Sequence, residues 1–198
     1  FTLSLQSAPT GIYSAESIFW RAESYFRTGN TDKGLADLRA FNNNSNSKTS
    51  ANRVMANYSM GYGYFNTKDY TNALTWFLKY IENETNTGKT TYADALNRAG
   101  DCYFFARNFT KAETFYARAS SASPSAADYA LFQSAYAAGL QKNYNSKIAT
   151  LEKLISQYPN SEYIDDSFYE IGRSYIMLEN DNSAINAFQR LLDRQPNS

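Results

Sequence analysis

The sequence predicts an all-α chain in which about five helical hairpins stack as a solenoid, and two observations carry that expectation. Small residues, most of them followed three positions later by tyrosine, fall into register as Ala22 with Tyr25, Gly61 with Tyr64, Gly100 with Tyr103, Ala135 with Ala138, and Gly172 with Tyr175. The steps between them are 39, 39, 35 and 37 residues, a period at which each repeat is one supersecondary element that buries its apolar face only against its neighbours. The composition agrees: 17 tyrosines and 13 phenylalanines stand against 9 glycines and 4 prolines, so something repeated consumes aromatic residues.

Each element follows from that register. Twelve positions after the small residue comes Gly34, Ala73, Ala112, Lys147 or Ala184, and four further on comes Leu38, Phe77, Tyr116, Leu151 or Phe188. In the last unit Phe168, Ile171, Gly172, Tyr175 and Ile176 keep an i, i+3, i+4, i+7 spacing. "LENDNS" interrupts it, and Ala184, Ile185, Phe188, Leu191 and Leu192 resume it, which reads as helix, tight turn, helix. Small residues on both helices let the backbones approach, and the larger side chain fills the gap. Pro124, Pro159 and Pro196 follow the second helix in three units, where a residue unable to continue a helix is expected. The expected units are residues 10–47, 48–88, 89–124, 125–159 and 160–198. "PTGIYSAESIFW" from Pro9 aligns with "PNSEYIDDSFYE" from Pro159, so residues 1–9 read as the end of a truncated repeat, with Phe1 at its second-helix aromatic position. The chain is accordingly expected to be a segment of a longer protein, and its uncapped array ends offer a route to self-association.

Composition narrows the function. Nineteen basic side chains balance nineteen acidic ones, which leaves no net pull toward nucleic acid. No apolar run reaches the roughly 20 residues of a membrane-spanning helix, so direct membrane insertion is not expected. With no histidine and one cysteine, Cys102, the usual general base and transition-metal ligand are lacking. No catalytic residue, cofactor or metal is expected. "TGKTT" at 87–91 lacks the glycine that a phosphate-binding loop needs five residues before Gly88, since Asn83 stands there. Cys102 falls in an always-small column (Ser24, Gly63, Ala137, Ser174), which reads as packing. The Asn-x-Ser/Thr triplets arise by chance in a chain so rich in these residues.

The pattern resembles the tetratricopeptide repeat (TPR), which has Trp, Leu, Gly and Tyr in its first helix and Ala, Phe, Ala and Pro in its second. The resemblance covers nearly the whole chain and implies a right-handed superhelical solenoid that binds a peptide or protein on its concave face. Two departures stand out. Ala138 and Lys147 replace tyrosine and the small residue in the fourth unit, which predicts a looser hairpin there; Asn46 and Thr85 replace proline within longer polar loops. "YPNSEYIDDSFYEIGRSYIMLENDNSAINAFQRLLDRQPNS" is similar to repeats of bacterial cell-envelope proteins such as the Tol-associated periplasmic coordinator and the outer-membrane assembly lipoprotein. That similarity implies a periplasmic or outer-membrane-associated place, with the cytoplasm as the alternative. The competing function is a sensor or regulatory region of a larger signalling protein.

If the first helices line an inner groove, its aromatic columns are Phe19, Tyr58, Phe132 and Tyr169, then Tyr62 and Tyr136, then Phe26, Phe65 and Phe104. Rigid amphipathic rings suit an interface, though each could instead pack between repeats. The columns in which some tetratricopeptide domains clamp a terminal carboxylate with Lys and Asn hold Glu23, Tyr62, Asp101, Tyr136 and Arg173. Carboxylates at Glu16, Glu23, Asp94, Asp101 and Asp166 would either meet a basic ligand or solvate a helix face. A protein or peptide partner is expected, held in a groove formed by Phe19, Glu23, Phe26, Tyr58, Tyr62, Phe65, Asp101, Phe104, Phe132, Tyr136, Tyr169 and Arg173.

Overall fold

A small residue beneath a large one organises every hairpin. In the computed structural model, which describes residues 1–8 and 10–194, a Cβ added to Gly61 would lie 2.6 Å from the ring of Phe77. The same holds at 2.6 Å for Gly100 against Tyr116 and at 2.5 Å for Gly172 against Phe188. Where the small residue is alanine, at Ala22 and Ala135, the residue sixteen positions on is Leu38 or Leu151 instead. One methyl more on the first helix is matched by a smaller side chain on the second. Ala22, Leu38, Phe77, Tyr116, Ala135 and Leu151 are all at most 1 % exposed, and each large side chain so buried contributes roughly 1.5–3 kcal/mol.

Eleven α-helices lie among the described residues, and the chain forms two compact units, Phe1–Thr85 and Asn86–Ser198. In the first unit α1 (Thr2–Ser7) precedes two hairpins, α2 (Ser14–Arg27) with α3 (Thr31–Asn43) and α4 (Arg53–Asn66) with α5 (Tyr70–Asn83). In the second, three hairpins follow: α6 (Thr90–Phe105) with α7 (Phe109–Ala122), α8 (Ala127–Leu140) with α9 (Tyr144–Gln157), and α10 (Ile164–Met177) with α11 (Asp181–Arg194). The first unit's core gathers Ala15, Ile18, Phe19, Leu38, Phe41 and Met60. The second unit's core includes a cluster of Ala135, Ile148, Leu151, Ile171 and Ala187, and another of Leu131, Leu154, Ile164 and Phe168.

All five hairpin turns are one device. Gly29, Lys68, Arg107, Lys142 and Glu179 take left-handed backbone, φ between 57° and 74°. The next amide, of Asn30, Asp69, Asn108, Asn143 or Asn180, donates to the carbonyl of Tyr25, Tyr64, Tyr103, Ala138 or Tyr175 at 2.8–2.9 Å, closing a Schellman-type C-cap. In four turns the Asn or Asp side chain then caps the following helix, accepting from the amides of Asn72, Lys111, Ser146 and Ser183 at 3.2–3.3 Å. Since the tyrosine position contributes a backbone carbonyl, Ala138 serves there as well as tyrosine does. The fourth hairpin, expected to be looser, therefore keeps the common turn. Its Lys147 is accommodated by Gly139, where an added Cβ would come within 2.8 Å of the lysine Cδ.

One sequence expectation needs correction. Phe1 precedes α1 and is 58 % exposed, while Leu5 of α1 packs on the first unit's core. The polar run after α3 is not an open loop, because Ser45–Thr49 form a 3-10 turn fastened back to the start of α2. Asn44 donates to Ser14 Oγ at 2.9 Å, Asn46 to the Gly11 carbonyl at 2.9 Å, and Glu16 accepts from Ser50 and Asn52. Pro124 opens a 3-10 turn and Pro159 follows α9; Pro9 and Pro196 lie outside the described residues.

The pairing of small and large residues is tested by Gly61→Ala. Its Cβ meets the buried Phe77 ring, and the expected loss is about 1–3 kcal/mol in a urea unfolding series. Adding Phe77→Leu to that variant, which recreates the alanine-over-leucine pairing of the fourth hairpin, recovers part of the loss.

Candidate functional site

In the first unit the expected groove residues are engaged in packing. Phe19 is 1 % exposed, with its ring 5.1 Å from Trp20 and 5.9 Å from Phe41. It belongs to the core and offers no surface to a partner, because α2 turns that column toward α3 and α4. Phe26 lies over Gly34, where an added Cβ would be 2.6 Å from the ring. Tyr58, Tyr62 and Phe65 form a layer over Phe77 with centroid separations of 6.2, 5.3 and 6.3 Å, and Tyr58 also meets Tyr80 at 5.1 Å. Glu23 is half-buried.

In the second unit Asp101 is 5 % exposed and is likewise no groove ligand. Its carboxylate accepts from the hydroxyls of Tyr116 and Tyr129, each at 2.8 Å, and Arg98 lies 2.7 Å away with Asp94 beside it. Burial raises its pKa above the ordinary carboxylate value despite the Arg98 guanidinium and the two hydroxyls. Cys102 beside it is 1 % exposed and pushed up to about 12 by burial, which leaves it an unreactive thiol. Phe104 and Phe132 are half-buried against Tyr136, at 6.2 and 6.5 Å, and Phe132 stacks on Tyr163 at 5.0 Å.

Tyr136, Tyr169 and Arg173 do reach solvent, the two tyrosines 40 % and 48 % exposed. Tyr136 and Arg173 border one cleft of about 320 Å3 between the end of α8, the start of α9 and the C-terminal half of α10. Its floor is a charged triad. Lys147 reaches across from α9 to pair with Glu170, whose other oxygen accepts from Arg173 at 3.1 Å. Lys147 and Glu170 are each 8 % exposed, and the ammonium lies 5.5 Å from the Tyr136 ring centroid. Two cations against one carboxylate leave the floor positive. The rim is apolar, with Leu140 49 %, Ile176 51 % and Met177 59 % exposed.

Of the cleft's lining, Tyr136 and Arg173 are residues the sequence reading places in its groove, whereas Lys147, Glu170, Leu140, Ile176 and Met177 are not. A signal was present for two of them. Five positions after the small residue stand Arg27, Asn66, Phe105, Leu140 and Met177, a column that turns apolar in the last three units. Lys147, a departure from the repeat pattern that predicts a looser hairpin, is half of a buried ion pair between consecutive repeats.

The sequence profile of the tetratricopeptide repeat matches residues 16–47, 129–161 and 166–198, and a second profile of the same repeat matches 93–125, together well over half of the chain. The chain belongs to the tetratricopeptide repeat family. No curated protein matches it in sequence. Among solved structures, a MamA protein superposes with a TM-score of 0.78 at 16% identity, over 93% of each chain. MamA from Desulfovibrio magneticus gives 0.72 at 19% identity, over 93% of this chain and 97% of that one. YrrB, described as a TPR protein with an unusual peptide-binding site, gives 0.75 at 17% identity over 99% of this chain and 92% of that one. At these identities the likeness is one of fold. No helix among the described residues is long and apolar enough to cross a membrane.

Two measurements test the electrostatics of the second unit. With its pKa raised in the folded state, Asp101 holds a proton there at pH values where the unfolded chain has lost it, so lowering the pH through that window favours folding. Asp101→Asn removes that titration, and the stability of the wild type relative to the variant is expected to rise as the pH falls from neutral toward the ordinary carboxylate range. For the triad, Glu170→Ala strands a buried ammonium and is expected to cost roughly 3 kcal/mol. Lys147→Ala costs less in the same chemical-denaturation assay, because Glu170 keeps Arg173.

Proposed function

We propose that this chain is a non-enzymatic scaffold that holds a segment of another protein, and that the cleft of the second unit is its principal seat. The observation that carries the reading is the exposure of Tyr136, Leu140, Ile176 and Met177 around the Lys147–Glu170–Arg173 floor. Large apolar side chains concentrated on one concavity above a fixed polar triad are what a recognition site needs: anchors that gain by losing water, and polar groups that fix register. The Lys147–Glu170 pair costs nothing to organise on binding, since it is already buried and paired. A micromolar complex requires only about 8 kcal/mol, within reach of a few anchors of this kind.

The partner's chemistry follows from the lining. An apolar side chain suits the Leu140, Ile176 and Met177 rim, and a carboxylate beside it suits Arg173 and the net positive floor. YrrB, of the same fold, carries a peptide-binding site, which supports a peptide segment as the ligand. For location we favour the bacterial cell envelope, on the strength of the "YPNSEY" junction between the fourth and fifth units.

Selection of a displayed random-peptide library on the chain tests this reading. It is expected to enrich sequences pairing an aliphatic with an acidic residue. Synthetic peptides of that consensus should bind at micromolar strength, and Tyr136→Ala with Met177→Glu should weaken them at least roughly tenfold while leaving the helical circular-dichroism signal unchanged. Absence of a consensus, or binding indifferent to the double substitution, would overturn it.

A further inference from the structure

A second concavity, in the first unit, has different chemistry. It encloses about 580 Å3 between the end of α3, the 3-10 turn, the start of α4 and the C-terminal half of α5. Lys48, Arg53 and Lys79 converge on it and only Glu82 opposes them. In a chain whose charges balance overall, this is a local excess of two positive charges. None of the three cations forms an ion pair among the described residues. Arg53 donates to the Lys48 carbonyl at 3.4 Å, and the Lys79 ammonium lies 4.1 Å from the Trp76 ring centroid.

Three of the six remaining lining residues are amides, and Ser47, Val54 and Trp76 complete the wall. Asn42, Asn57 and Asn83 present side-chain carbonyls and NH2 groups, with Asn42 donating to Met60 Sδ at 3.2 Å and Asn83 to the Lys79 carbonyl at 2.7 Å. Their carbonyl oxygens have no partner among those bonds and can accept hydroxyl protons, while the cations can only donate. Trp76 packs on the core, and Lys79 covers its ring. The Lys79 ammonium thus occupies one face of the indole, where a nucleobase would otherwise stack.

From this lining we infer that the cavity binds an acidic saccharide, a ligand whose hydroxyls pair with the asparagines and whose carboxylate or sulfate groups meet Lys48, Arg53 and Lys79. The volume exceeds what a lone oxyanion needs, and the amides would have no function toward one. The site is independent of the cleft on the second unit.

The chain holds two tryptophans, Trp20 and Trp76, so Trp20→Phe leaves Trp76 as the sole indole reporter at the cavity. Titration of that variant with an oligogalacturonate is expected to change its emission saturably, with an affinity that falls as salt is added. Lys48→Gln with Arg53→Gln, both exposed positions, should weaken binding by roughly tenfold or more while preserving the unfolding midpoint and the Lys79–Trp76 contact. Three results would overturn the inference: no saturable change, an equal response to a neutral malto-oligosaccharide, or an equal response to inorganic sulfate, which would mark a bare oxyanion site. Isothermal calorimetry on the unaltered chain provides the second readout, and heat with the acidic oligosaccharide alone is the supporting result.

Discussion

The hairpins depend on one steric exchange: a position on the first helix gives up its side chain, and a position on the second spends that space. Gly61, Gly100 and Gly172 carry Phe77, Tyr116 and Phe188 directly on their backbone, while Ala22 and Ala135 carry the smaller Leu38 and Leu151. The sum of the two volumes is what the pair holds roughly constant, as close packing demands. A glycine inside a helix costs roughly 0.5–1 kcal/mol relative to alanine, and the buried aromatic opposite more than offsets it. Sequence register, helix approach and core composition are thus one constraint seen at three levels.

That constraint explains how much could be read in advance. The hairpins were legible because a missing side chain leaves a mark at fixed spacing, and because the same sixteen-residue offset brings its partner into view. The turns were legible only as interruptions. Their cause, an Asn or Asp at 30, 69, 108, 143 and 180 after a left-handed residue, shared the same register but was hidden by four non-glycine residues at positions where glycine would have announced a helix end.

The candidate site was less legible, for a physical reason. A column on a first helix can point outward, toward its own hairpin partner or toward the next repeat, and a single residue of rotation decides which. Phe19 and Asp101 shared columns with the exposed Tyr169 and Arg173, yet one entered the core and the other was drawn into a network with Tyr116, Tyr129 and Arg98. Lys147 shows the converse. A charge where alanine belongs looked like damage, and only the juxtaposition of Gly139 beneath its stem and Glu170 at its tip shows it to be a buried connector. The two concavities also differ in kind: one is apolar over a triad of two cations on one carboxylate, the other polar with its three cations unpaired among the described residues.

The hairpin turns have one more implication. Lys68, Arg107, Lys142 and Glu179 occupy backbone that disfavours any Cβ, at roughly 1–2 kcal/mol each, although each lies at an exposed bend. The chain has thus left untaken a reserve of thermal robustness, scattered over four separate turns. Natural selection on this molecule has evidently been satisfied with less rigidity than its own architecture permits.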